Sequence, residues 1–145
     1  MQDQLIQTLT DLVQINSVNP DLSNDGQGER EIAEYVQRHF QGLGIPSNVH
    51  TVKNDRCNTT AFIIGKNPNK ILLMNGHLDT VGIEGMDKPF TIRKDGDKLY
   101  GRGTYDMLAG CAIQMGLATY FSENPSPISL AFTFVADEEN LSIGM

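Results

Sequence analysis

A layered α/β fold is what this sequence predicts, with helices packed against a sheet. Helical and strand-like periodicities alternate along the chain. Two short segments, residues 71–74 and 128–136, are apolar at most positions, the mark of strands buried between two layers. The third observation is size: 145 residues suit a single hydrophobic core.

Leu5, Ile6, Leu9, Leu12 and Val13 recur at helical spacing and predict an amphipathic helix over residues 3–14. Residues 16–28 read as a polar loop containing Pro20, Gly26 and Gly28. A second helix follows, with Glu29 and Glu31 in its first turn, where the helix dipole favours anions. Ile32, Tyr35, Val36, Phe40 and Leu43 form its apolar face, and Gly44 stands where a left-handed residue would end it. The period then shortens. Val49, Thr51 and Lys53 alternate with polar neighbours, and residues 60–64 are a compact β-rich run. After the strand at 71–74, residues 106–122 interleave apolar and small side chains and are predicted helical. Pro125 and Pro127 end that helix before the last strand.

Composition narrows the function. Eleven Lys and Arg against eighteen Asp and Glu give a net charge of −7, the opposite of a nucleic-acid or anionic-membrane footprint. No apolar run reaches the ~18 residues of a membrane helix, and the amino terminus lacks the basic and apolar blocks of a secretory signal. Cys57 and Cys111 have no metal-type spacing and read as reduced thiols, so a cytoplasmic location is expected.

The chemistry stands at the ends of the strands, where sites of open α/β sheets gather. Residues 71–74 lead into Asn75-Gly76-His77-Leu78-Asp79-Thr80-Val81. Residues 128–136 lead into Asp137-Glu138-Glu139-Asn140. Between them, Gly101-Arg102-Gly103-Thr104-Tyr105-Asp106 runs into the start of the long helix. Singly, each has a plain reading: a surface histidine near an aspartate, a helix cap, a solvated acidic turn. Together they deliver one imidazole and several carboxylates to one rim, and their mutual repulsion calls for a cation.

Taken as a set, these three stretches resemble the zinc metallopeptidase and deacylase family of acetylornithine deacetylase, succinyl-diaminopimelate desuccinylase, aminoacylase and carboxypeptidase G. The resemblance implies the layered α/β/α sheet of the zinc exopeptidases and hydrolysis of amide bonds in N-acyl amino acids or small peptides. It makes His77 a ligand of one zinc and Asp79 the partner that orients the imidazole. Asp106 becomes the carboxylate bridging two zinc ions, Glu139 a ligand of the other ion, and Glu138 the general base. Cobalt or manganese would suit the same donors. A cis peptide is expected between Asp106 and Met107.

The sequence also departs from the family pattern. Leu108 stands where a lysine is usual, and Tyr105 replaces a small residue and is expected to pack against the sheet. Family members continue for several hundred residues, with a further acidic ligand, an inserted lid or dimerisation domain, and a final histidine ligand. The 145 residues therefore read as the amino-terminal portion of a catalytic domain, incomplete at the carboxyl end and expected to be inactive alone. Open sheet edges make self-association an expectation. Two other readings fit parts of the pattern. One is a two-zinc aminopeptidase or tripeptidase, although such tripeptidases tend to carry a Gly-Ala-Asp-Asp stretch absent here. The other is a non-catalytic metal-binding or interaction module.

Overall fold

The protein is described by a computed structural model over residues 2–145. Helix α1 (Gln2–Gln14) forms where its apolar spacing predicts, and buries Leu9, Leu12 and Val13. Helix α2 (Arg30–Gly42) buries Ile32, Ala33, Val36 and Phe40. It closes in a Schellman motif: the Gly44 N–H bonds the Gln41 carbonyl and the Ile45 N–H bonds the Phe40 carbonyl. Gly44 has φ +72°, a left-handed conformation that glycine adopts without steric cost. Strands β1 (Ser47–Lys53) and β2 (Arg56–Ile63) form an antiparallel pair, and β3 (Asn67–His77) extends well beyond its apolar run. A short hairpin of β4 (Arg93–Asp95) and β5 (Lys98–Tyr100) precedes helix α3 (Leu108–Glu123) and strand β6 (Ile128–Val135).

The main sheet has the order β1-β2-β6-β3. It is mixed, because β6 pairs antiparallel with β2 and parallel with β3. Leu130, Phe132 and Phe134 of β6 point into one core with all three helices. The Phe40 ring lies 5.2 Å from that of Phe132 and 5.9 Å from that of Phe134, centroid to centroid. Burying side chains of this size contributes about 1.5–3 kcal/mol each and fixes α2 on the sheet.

The class is α/β as predicted, but one expectation about the sheet fails. Residues 71–74 are not buried on both faces: Ile71 is 59% exposed and Leu73 60%. Strand β3 stands at the sheet edge, so among the described residues one side of its backbone has no strand beside it. The register sets Phe62 and Leu73 opposite Ala131, on the face turned away from the helices. The carboxyl-terminal residues Gly144 and Met145 touch that face at Asn58 and Asn75, and among the described residues Phe62 and Leu73 stay exposed on it.

Two further differences and one agreement bear on the rim. Helix α3 begins at Leu108 rather than Asp106, so Asp106 stands in the turn before it. The Asp106–Met107 peptide is cis, as the resemblance implied. Tyr105 does not pack against the sheet; it is 97% exposed.

The polar loop after α1 is ordered. Val18 bridges Thr80 in parallel fashion, the Asn19 N–H bonds the Thr80 carbonyl at 2.8 Å, and Ser17, Val18 and Asn19 are buried. Both cysteines are free and buried, and burial pushes the Cys111 thiol up to about 12. No helix among the described residues is long and apolar enough to cross a membrane.

Candidate metal centre

Parallel pairing of β3 with β6 brings both carboxyl ends to the same rim, with His77 opposite Val135. The chain then continues the ladder, the Leu78 N–H bonding the Val135 carbonyl at 2.8 Å. Gly76 lets β3 approach α3 closely: a Cβ there would stand 2.9 Å from Nε2 of Gln114 and 3.1 Å from Sγ of Cys111. The third segment, Gly101–Asp106, folds back over this end, anchored where the Leu108 N–H bonds the Gly103 carbonyl.

His77 is the buried centre of the group. Its Nδ1 lies 3.0 Å from the Asp79 carbonyl oxygen and 3.5 Å from the Asp79 carboxylate. A carbonyl only accepts, so Nδ1 carries the proton and Nε2 faces the rim. Nε2 lies 3.0 Å from Oδ1 of Asp106 and 3.7 Å from Oε2 of Glu138. His77, Asp106 and Glu139 each offer a ligand atom, and these atoms all lie within 4.8 Å of one another. All five residues that the sequence singled out therefore meet. Asp79 does more than orient the ring: its Oδ1 accepts the Glu138 N–H at 3.0 Å and its Oδ2 the Glu139 N–H at 3.1 Å. One buried carboxylate thus ties the imidazole strand to the turn that presents both glutamates.

The charges are strongly perturbed. Burial of the His77 ring opposes its protonation, but hydrogen bonding to Asp79 and Asp106 outweighs it, and the pKa rises to about 9. Burial would also raise Asp79, yet donors from His77, Asn19, Glu138 and Glu139 hold its carboxyl below the ordinary range. Burial raises Glu139, and the charges of Asp106, Asp79 and Glu138 add to this against the pull of His77. In metal-free protein the His77 contribution to stability is therefore full below the unfolded value of 6.5 and lost as pH rises through about 9. Proton NMR with chelator present is expected to find the ring titrating near 9. Asp79→Asn should bring it down toward the ordinary value; an unchanged titration would exclude Asp79 as the cause.

The donor set fits a divalent transition metal. It combines one imidazole nitrogen with carboxylate oxygens, the ligands that zinc, cobalt and manganese accept. Two ligands of one ion, each about 2 Å from it, stand at most ~4 Å apart, so 4.8 Å is close to closure.

Asn19 and Arg56 carry no motif and escaped the sequence reading, as did the buried ion-pair roles of Glu29 and Asp137. Asp137 does not lie in a solvated acidic turn. It is buried, at φ +62°, and its cation is the protein's own Arg56, 3.2 Å away. Arg56 also forks onto Glu29, so Glu29 serves as an ion-pair partner and makes no side-chain cap for α2.

A family model described as peptidase family M20/M25/M40 matches residues 73–145, the half that contains His77, Asp79, Asp106, Glu138 and Glu139. An uncharacterized protein of Bacillus subtilis, YqjN, is 30% identical, with 99% of this chain and 31% of that protein covered. A probable succinyl-diaminopimelate desuccinylase of Staphylococcus aureus is 31% identical over 87% of this chain and 30% of its own length. The crystal structure of human carnosine dipeptidase 1 superposes with a TM-score of 0.79 at 22% identity, covering 95% of this chain and 32% of that one. The chain spans about a third of the length of these relatives. Family match, relatives and rim geometry agree: the chain belongs to peptidase family M20/M25/M40.

Proposed function

We propose that this rim is a share of the metal centre of a hydrolase that cleaves amide bonds in N-acyl amino acids or small peptides. The observation that carries the reading is the meeting of His77, Asp106 and Glu139 ligand atoms within 4.8 Å, from three separate segments of chain. The desuccinylase relative supports the substrate class. In this reading His77, Asp106 and Glu139 are the residues of this chain that would hold the metal, with zinc the ion their donors would suit. When bound, such ions polarise the scissile carbonyl and lower the pKa of the attacking water. The protein's own residues do the rest. Asp79 fixes the Nδ1–H tautomer of His77 and leaves Nε2 free to coordinate. Glu138, with its carboxylate 3.7 Å from His77 and open to solvent, would accept the proton of the attacking water on Oε2 as the water oxygen bonds the carbonyl carbon, and pass it to the amine nitrogen as the C–N bond breaks.

Titration of chelator-treated protein with Zn²⁺ or Co²⁺ tests the reading. Uptake at micromolar metal is expected; its absence would favour a non-catalytic module. This polypeptide is expected to release no measurable amine from N-succinyl or N-acetyl amino acids. Three clustered ligand residues cannot give two ions the three protein ligands each that catalytic zinc normally has. Turnover by the 145-residue chain would overturn that part.

Association with a second copy of the chain belongs to the same proposal. Strand β3 presents an unpaired edge beside exposed Ile71 and Leu73, the arrangement that invites strand-to-strand pairing. Light scattering is expected to show mass rising with concentration and Leu73→Lys to suppress it. A monomer at every concentration would refute the association.

A further inference from the structure

We propose that Asn19 is a positioning residue for the metal centre, acting through two buried carboxylates to set where Glu138 and Glu139 stand. Its Nδ2 donates to Oδ2 of Asp79 at 2.8 Å and to Oδ1 of Asp137 at 2.9 Å. Its Oδ1 accepts the Asp21 N–H at 3.0 Å, so every polar atom of the amide is used and its orientation is fixed. Asn19, Asp79 and Asp137 are all fully buried.

Each carboxylate that Asn19 joins governs part of the glutamate turn. Asp79 holds the Glu138 and Glu139 N–H groups. Asp137 starts the turn, and its Oδ2 accepts the Leu141 N–H at 3.2 Å and the Ile143 N–H at 3.4 Å. Without a donor between them, two buried anions would repel, and the turn would move relative to His77. An amide is the group that serves here. It brings two N–H donors and no charge, whereas aspartate at 19 would add a third acceptor and a third negative charge. The loop carrying Asn19 is itself pinned to the strand end by its hydrogen bonds to Thr80. The proposal rests on the metal-centre reading only for its metal readout; the placement of the turn can be read without metal.

The test compares wild type with Asn19→Ala, Asn19→Ser and, as a control, Ile45→Ala. Ile45 is buried beyond the far end of α2, about 20 Å along that helix from Glu29. Serine can satisfy one carboxylate of the two, so it gives an intermediate variant if alanine does not fold. Amide hydrogen exchange in chelated protein is expected to quicken at least tenfold at Glu138 and Glu139 in Asn19→Ala, and less in Asn19→Ser. Zn²⁺ affinity should fall about 10–100-fold in the alanine variant, the usual effect of removing a partner that supports metal ligands. Ile45→Ala should lower the thermal midpoint while leaving both readouts near wild type. Unchanged exchange at Glu138 and Glu139, or equal losses in the Ile45 control, overturns the proposal, as does zinc affinity that holds while exchange quickens. If wild type takes up no zinc, the metal-centre reading fails and the exchange comparison alone decides the role of Asn19.

Discussion

Arg56→Met should destabilise the chain by about 3–5 kcal/mol, the range for breaking a buried ion pair by removing one partner. The Arg56 side chain is 7% exposed and its partners Glu29 and Asp137 are 0% and 1% exposed. Methionine fills much of the volume and supplies no charge, so two carboxylates would remain desolvated without a cation. Asp21, 3.0 Å from the guanidinium, is 60% exposed and loses little when left alone. A fall of about 6–20 °C in Tm follows for a chain near this size. The contrasting variant is Arg30→Met. It breaks an ion pair with Asp55 whose side chains are 39% and 76% exposed, and should leave the urea midpoint near that of wild type. Adding Glu29→Met to Arg56→Met should recover part of the loss, because the double variant buries one uncompensated charge fewer. The network also sets the acid limit. Burial would raise Asp137, but hydrogen bonds from Asn19, Ile143 and Leu141 and the nearby guanidinium hold it below its ordinary 3.8. That stabilisation is present above pH 3.8 and lost as pH falls further. Urea unfolding at pH 7 decides the first point: a loss under 1 kcal/mol would mean that water already reaches these charges.

What could be read from the sequence follows the physics of each signal. Helix α2 was legible because Ile32, Val36 and Phe40 share one face and Gly44 must take a left-handed turn, both local facts. His77, Asp79, Asp106, Glu138 and Glu139 were legible as a group because each stands next to a strand end or helix start, and those ends share a rim. The β4–β5 hairpin was missed: strands of three residues are too short to show a period, although Asp95-Gly96 with Gly96 at φ +58° is a turn signal. Exposure of Ile71 and Leu73 was not legible, since an apolar run reports what a strand can bury and not what lies beside it. The Asn19–Asp137–Arg56–Glu29 network was hidden for another reason. Its members come from the α1–α2 loop, the start of α2, the start of β2 and the turn after β6, and only the fold brings them together.

Asp106→Asn is expected to lower Zn²⁺ affinity about 100-fold or more while leaving the metal-free chain as stable as wild type, or slightly more so. The two halves have separate causes. Structural zinc sites of four ligands bind with about 10–16 kcal/mol, so one ligand is worth on the order of 3 kcal/mol, or roughly 100-fold. A carboxylate placed between two ions would exceed that. Stability behaves differently because the Asp106 side chain is 69% exposed and, among the described residues, hydrogen-bonds through His77 alone, at 3.0 Å. Water reaches the Asp106 side of this pair, so it is worth about 0–1 kcal/mol, and its loss is opposed by relief of the repulsion that helps raise Glu139. The asparagine keeps the shape and removes the charge, so packing is not disturbed. Competition with a coloured chelator reads the affinity, and urea unfolding with excess chelator reads the metal-free stability. Opposite movement of the two quantities is the signature of a residue held for its ligand. If zinc affinity survived the substitution, or if the metal-free chain lost several kcal/mol, Asp106 would be a structural carboxylate and the rim would have to find its metal elsewhere.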